Sequence, residues 1–188
     1  AHQARGCCFG MLSVCGVGFT EPLKWSTAKT EELFAFMLQN LNTGVPKWKI
    51  TQVLWPEYDE EKKIDVNLYT TVYKVKKMLL DANIKFTFTF QNGTYKMELP
   101  GASIDTNEFM AITDGEIYVA EETLDKYKAA FRLFRGTYLG ENEYRWSKSE
   151  AEKYLVRYHR LVFALVNYYM KQKDDITAEQ VLRDALQI

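Results

Sequence analysis

The stretch that most constrains the fold is residues 64–80, IDVNLYTTVYKVKKMLL. Between residues 66 and 80 it has no acidic side chain, and its three lysines lie in the second half. Its apolar residues recur at i, i+4, i+7 and i+11, the spacing of a helix face packed on a core. These residues are Leu68, Val72, Val75 and Leu79. The other faces carry short polar, aromatic and basic side chains, so the helix could enter a DNA major groove or be an ordinary surface helix.

The segment behind this helix has a different period. Residues 84–90, IKFTFTF, alternate strictly between apolar and polar, as a half-buried strand does. Asn92-Gly93 is the strongest short signal for a hairpin turn, and residues 95–99 form the returning strand.

The first part of the chain predicts small strands followed by two helices. Residues 7–25 contain short apolar stretches broken by glycine and proline, which predict two or three short antiparallel strands. Ser26 or Thr27 caps the first helix, and Gly44 ends it in the left-handed conformation. A shorter helix opens at Pro46 and closes at Pro56. Strands, three helices and a hairpin are the order of a winged helix-turn-helix, in which the third helix reads DNA.

The second half predicts paired helices. Asp105 caps a short helix, and a longer helix covers residues 124–135. Ser147 or Ser149 caps a long helix that ends at Lys171, and Thr177 caps the last one. Antiparallel pairs of this size are typical of tetratricopeptide-like repeats. The predicted fold class is therefore α+β. A winged helix with a small N-terminal antiparallel sheet covers residues 7–100, and an all-α, tetratricopeptide-like domain covers residues 101–188.

Composition narrows the function classes. The chain has 188 residues, and its hydrophobic content of 47% is enough for a core, which argues against a disordered regulator. A net charge of −1 argues against a globally basic nucleic-acid coat protein, although a local basic surface suffices for binding. No apolar run reaches the roughly 18 residues of a membrane span, and no secretory leader precedes the domain. We therefore expect a cytoplasmic protein that does not enter a membrane.

No catalytic or metal-binding pattern stands out. The three cysteines lie within the first sixteen residues without CxxC spacing or a histidine cluster, which predicts reduced thiols rather than a zinc site. His2 and His159 are far apart in sequence. No nucleophile–base pair and no cluster of carboxylates appears. We expect no enzyme activity, no cofactor and no metal.

Several motifs of this chain are informative when taken together. They are Phe9-Gly10 with Gly16, the segment 25–33 (WSTAKTEEL), Leu54-Trp55-Pro56, the basic helix 67–79, the turn 92–97, and Asp105 with Phe109. In this order they resemble the antibiotic-regulatory-protein family of transcription factors. The segment 135–139 with Tyr144 and Trp146 resembles the bacterial transcriptional activator domain that follows the winged helix in that family. The resemblance implies a transcriptional activator, often the output module of a two-component response regulator. A receiver domain upstream of this chain is a further hypothesis.

The candidate DNA-binding residues lie on the third helix, at the start of the first helix and in the hairpin turn. They are Asn67, Tyr69, Thr70, Thr71, Tyr73, Lys74, Lys76, Lys77, Lys29 and Asn92. On the alternative interpretation the lysines form a solvated helix face, the tyrosines pack on neighbouring helices and Lys29 belongs to a helix cap.

Two functions follow from these patterns. The first is a sequence-specific DNA-binding regulator whose partners are double-stranded DNA, RNA polymerase and a second copy of the chain on DNA. The second is a protein-interaction module, in which the helices of residues 124–171 form a concave groove and the winged helix is only structural. A basic surface around the third helix would distinguish the first from the second.

Overall fold

The structure is a computed structural model, and it describes residues 3–58 and 60–188. Contacts divide the chain into two compact units. The first unit comprises residues 3–6 with Ser13–Ser103, and the second comprises Cys7–Leu12 with Ile104–Ile188. This division differs from the boundaries predicted from the sequence because residues 7–12 belong with the second unit.

The chain consists of helices and short strands, so the predicted α+β class is confirmed. The elements of the first half are β1 (Arg5–Cys7), β2 (Ser13–Cys15), α1 (Ala28–Gln39), β3 (Val45–Pro46), α2 (Lys47–Leu54), α3 (Glu61–Asp81), β4 (Thr87–Gln91) and β5 (Thr94–Glu98). Those of the second half are β6 (Ser103–Ile104), α4 (Asp105–Thr113), α5 (Leu124–Leu133), α6 (Lys148–Lys171) and α7 (Asp175–Ala185). The strands form two sheets, ordered β2-β1-β6 and β3-β5-β4.

Helix α1 begins as the sequence predicts but ends differently. The Thr27 side chain accepts a hydrogen bond from the Thr30 N–H, so the predicted N-cap is confirmed. The prediction that Gly44 takes the left-handed conformation is wrong, because Asn42 takes it with φ 64°. Gly44 lies close to the hairpin instead, since a Cβ there would lie 2.7 Å from the Thr94 methyl carbon and that side chain would have to shift.

The end of α3 is fixed by a Schellman motif. Asn83 adopts a left-handed conformation (φ 54°), its N–H donates to the Leu80 carbonyl, and the Ile84 N–H donates to the Leu79 carbonyl. Ile84 is buried, which supplies the apolar contact that accompanies this motif. The chain is thereby turned out of the helix at a defined angle.

The hairpin behind α3 matches the sequence pattern. Asn92 and Gly93 both have positive φ (52° and 73°), as a type I′ turn requires, and β4 pairs with β5 from Thr87–Glu98 to Gln91–Thr94. The strand begins three residues later than the alternating pattern, at Thr87. A third strand joins the sheet where a helix start was predicted at Pro46, since Val45 pairs with Tyr95.

An aromatic cluster forms the core of the second unit. Phe9 is 3% exposed, and the centroid of its ring lies 4.6 Å from that of Phe134, 5.2 Å from that of Phe109 and 5.4 Å from that of Tyr154. Phe134 in turn stacks on Tyr158 at 4.1 Å. Burying several aromatic rings together supplies a large apolar area and favourable ring contacts.

Asp105 attaches the N-terminal segment to this unit. Its buried carboxylate accepts the backbone N–H groups of Cys8 (2.8 Å), Phe9 (3.1 Å) and Thr106 (2.8 Å). Burial raises the pKa of Asp105, and the hydrogen bonds from Phe9 and Cys8 partly offset that effect. The prediction that Asp105 caps this helix is wrong, because Asp105 is the first residue of α4 and Ile104 is at the N-cap position.

The ends of the last two helices differ slightly from the predictions. Asp174, and not Thr177, is the N-cap of α7, because its carboxylate accepts the Thr177 N–H at 3.1 Å. Ser147 precedes α6 but donates its hydroxyl to the Tyr144 carbonyl. Over the described part of the chain, no helix is both long and apolar enough to cross a membrane, and no group of acidic, histidine and cysteine side chains could hold a metal.

Candidate nucleic-acid interface

The buried face of α3 is the one predicted from its apolar spacing. Leu68, Val75 and Leu79 are at most 1% exposed. Thr71 belongs to this face as well, because it is 7% exposed and its hydroxyl donates to the Asn67 carbonyl at 2.6 Å. We therefore correct the expectation for Thr71 and leave it out of the proposed DNA contacts.

The outer face of α3 is aromatic and basic. Tyr69 and Tyr73 are 74% and 60% exposed, so the alternative that these rings pack on neighbouring helices does not apply to them. Thr70 and Lys77 are also exposed, whereas Asn67 and Lys74 are half-buried. The helix thus presents hydroxyls, flat rings and cations along one side.

The remaining candidate residues differ in how free their side chains are. Lys76 is half-buried, and its Nζ lies 5.9 Å from the centroid of the Phe88 ring on β4. The Lys29 Nζ contacts the Glu32 carboxylate at 2.8 Å and the Leu54 carbonyl, which fits the alternative of a structural role at the start of α1. Asn92 is exposed at the tip of the β4–β5 hairpin.

Acidic groups near α3 lie mostly at its two ends. Asp65 pairs with Lys47 at 2.9 Å, and Glu60 pairs with Lys63 at 2.7 Å. Among the described residues, Lys74 and Lys77 make no ion pair. None of the ion pairs formed by the described residues therefore neutralises these two lysines.

A cleft beside α3 includes side chains that sequence reasoning did not single out. Its volume is about 630 Å³, and the loop before α1 forms one wall through Phe19, Leu23 and Lys24. Thr70, Tyr73, Lys74 and Lys77 of α3 belong to the other wall. The signal in the sequence was the apolar Phe19 and Leu23 in a loop otherwise rich in glycine and polar residues.

The second unit carries a groove of its own. Its volume is about 1080 Å³, and it lies between the segment 116–122 and the outer side of α6. Phe163 and Tyr118 line it and are 66% and 73% exposed. Acidic side chains stand on the segment 116–122, whereas Arg160 and Lys171 stand on the helix.

Comparisons with known proteins support the fold alone. A scan against models of known protein families finds no match, and neither does a search of curated protein sequences. Among solved structures, the chain is similar to Mycobacterium tuberculosis EmbR in complex with a low-affinity phosphopeptide, with a TM-score of 0.66 and 16% sequence identity. The match covers 97% of this chain and 56% of the EmbR chain, so the chain spans a little over half of that protein's length. This likeness agrees with the fold that the sequence resemblance implied.

Proposed function

We propose that the chain is a sequence-specific DNA-binding transcriptional regulator. The observation that carries the proposal is the exposed face of α3, which presents Tyr69, Thr70, Tyr73 and Lys77 with the β4–β5 hairpin directly behind it in the chain. In this proposal the first unit is a winged helix, α3 is its recognition helix and the hairpin is its wing.

The side chains on this face divide into two roles. Lys74 and Lys77 bind phosphates, because each supplies one strong positive charge and makes no ion pair with a described residue. Asn67, Thr70 and the two tyrosines touch base edges and thymine methyl groups. Lysine cannot form the two-pronged contact that arginine makes with guanine, so base readout depends on the amide, the hydroxyls and the rings.

The weaker candidates support the docked helix. Lys76 has its cation over Phe88, so it orients the hairpin more than it contacts DNA. Asn92 reaches the flanking backbone from the hairpin tip, and Lys29 contributes mainly through its internal contacts.

The partners in this proposal are double-stranded DNA, RNA polymerase and a second copy of the chain bound to a repeated site. The resemblance that suggests them also suggests the output module of a response regulator, with a receiver domain encoded upstream of residue 1. Reading the gene upstream of residue 1 tests the receiver, because a phosphate-accepting aspartate domain is either encoded there or not.

Binding-site selection tests the proposal most directly. The chain is incubated with a randomised duplex library, and we expect enrichment of one motif, with an affinity that falls steeply as salt is raised. Lys74→Ala with Lys77→Ala lowers the slope of log affinity against log salt by about one per lysine. The matched control is Lys148→Ala with Lys153→Ala on α6, which leaves the slope unchanged. Binding without an enriched motif, or a slope equal in both double variants, contradicts the proposal.

The alternative is a protein-interaction module, and the groove beside α6 is the observation that favours it. Exposed Phe163 and Tyr118 are the kind of aromatic anchors that interfaces use. Phe163→Ala tests this alternative by crosslinking in cells. If the variant loses a partner that crosslinks to the wild type, and the wild type binds no DNA, the results favour the interaction module over the regulator.

A further inference from the structure

We infer that the cleft beside α3 binds a small anionic amphiphile, a molecule with an apolar body and one carboxylate, and that this ligand competes with DNA. The competition rests on the proposed function, whereas the binding itself does not. The cleft volume of about 630 Å³ lies within the range of small-molecule sites, roughly 300–1,000 Å³.

The walls of the cleft are apolar. Phe19 and Leu23 come from the loop before α1, and Tyr73, Met78 and Ala82 come from the end of α3. Phe19 is 44% exposed although it is a large apolar side chain, and Tyr73 is 60% exposed. An apolar ligand body placed between them would remove both rings from water, which is the main driving force for such binding.

The rim of the cleft selects the charge of the ligand. Lys24, Lys74 and Lys77 surround it, and Asp81 is the acidic residue among its lining. None of the three lysines makes an ion pair within residues 3–58 and 60–188. The hydroxyl of Thr70 adds a hydrogen-bond donor. Three lysines among apolar lining side chains complement a carboxylate attached to an apolar chain or ring.

The loop wall is held in place, so the cleft exists before any ligand binds. The Leu23 N–H donates to the Val14 carbonyl of β2 at 2.7 Å, and the Trp25 ring lies 5.0 Å from that of Phe34 on α1. Gly16 allows the strand end to approach α3, since a Cβ there would lie 2.0 Å from the Ala82 carbonyl oxygen. A preformed cleft saves the ligand the cost of ordering its own site.

Competition follows from shared residues. Thr70, Tyr73, Lys74 and Lys77 line the cleft and also belong to the proposed DNA-binding face. A carboxylate bound at Lys74 and Lys77 occupies the charges that would bind phosphates. The ligand therefore acts as a direct inhibitor of DNA binding, with no conformational change required.

The test uses decanoate as the probe and decanol as its uncharged match, with binding to the full chain measured by calorimetry without DNA. We expect saturable binding of one decanoate per chain and at least about fivefold weaker binding of decanol. Lys24→Glu weakens the binding of decanoate by about fivefold and leaves the binding of decanol unchanged. Lys24→Arg keeps the positive charge and binds decanoate as the wild type does. Phe19→Ala weakens both probes, whereas the matched control Phe163→Ala weakens neither.

Three results overturn the inference. They are no saturable decanoate binding, equal loss in Phe163→Ala and Phe19→Ala, and binding to phosphatidylglycerol vesicles without binding of monomeric decanoate. The DNA arm is scored separately with the selected duplex. If decanoate binds and DNA does not, the proposed function fails while the site stands. If both bind, decanoate must raise the protein concentration needed for half-saturation of DNA, and in Phe19→Ala it must do so less.

Discussion

The aromatic cluster of the second unit and helix α3 of the first unit place their rings in opposite ways. In the cluster Phe9, Phe134 and Tyr158 are buried, and the Phe134 ring contacts the other two. On α3 the buried face is aliphatic, and the two tyrosines, Tyr69 and Tyr73, are exposed to solvent. Rings that stabilise a core have to be inside, and rings that stack on a ligand or a base have to be outside. The contrast separates a cluster that stabilises its unit from a helix face that leaves its rings accessible for binding.

The largest expected effect comes from removing a buried ring. Phe9→Ala takes away contacts with Phe109, Phe134 and Tyr154 and should lower the free energy of unfolding by about 3–5 kcal/mol. Hydrogen exchange should show the loss of protection first in α4, α5 and α6. The exposed ring on α3 supplies the control, since Tyr69→Ala should change stability by no more than about 0.5 kcal/mol. Equal losses in the two variants would remove the contrast between the cluster and α3.

A smaller effect is expected where the N-terminal segment is tied to the second unit. Asp105→Ala leaves the buried N–H groups of Cys8 and Phe9 without an acceptor and should cost about 3 kcal/mol. Asp105→Asn should lower the free energy of unfolding by less than Asp105→Ala does, because it keeps one acceptor oxygen. Some loss remains because its NH₂ group faces a backbone donor. Urea unfolding of the variants measures this order. If Asp105→Ala were as stable as the wild type, the attachment of the N-terminal segment would not depend on the carboxylate.

The sequence allowed some of these features to be predicted and hid others. The stripe of α3 and the Asn92-Gly93 turn were predicted correctly because local period and turn chemistry determine them. Thr71 was misplaced because a threonine can satisfy its hydroxyl on the preceding turn and then be buried. The role of Phe9 could not be predicted, since its partners lie at least 100 positions away in the chain. The cleft residues Phe19 and Lys24 were missed for the same reason, because their partners are on α3.

Close backbone approaches also distinguish the units. Gly16→Ala places a Cβ 2.0 Å from the Ala82 carbonyl oxygen in the first unit, and since backbone cannot easily yield, we expect a loss of about 1–3 kcal/mol. Gly140→Ala in the second unit meets the Thr137 hydroxyl oxygen at 2.1 Å, which can rotate away. Thermal unfolding should therefore rank Gly16→Ala as the more harmful. The reverse order would show that β2 moves away from α3 at little cost.

The smallest effect concerns two helix caps of similar geometry and different chemistry. In the first unit Thr27 caps α1 with a hydroxyl, and Thr27→Ala should cost about 1 kcal/mol at any pH. In the second unit Asp174 caps α7, and the hydrogen bond from the Thr177 hydroxyl, followed by that from its N–H, holds the pKa of Asp174 below its usual 3.8. A lowered folded-state pKa means that the cap's contribution is complete above 3.8 and is lost as the pH falls through the folded-state value. Amide exchange in the first turn of α7 should therefore accelerate, relative to that of α1, only as the pH falls below 3.8. An Asp174→Asn variant should remove the pH dependence, because asparagine cannot ionise. If the first turn of α7 is equally acid-sensitive in that variant, the effect belongs to another group.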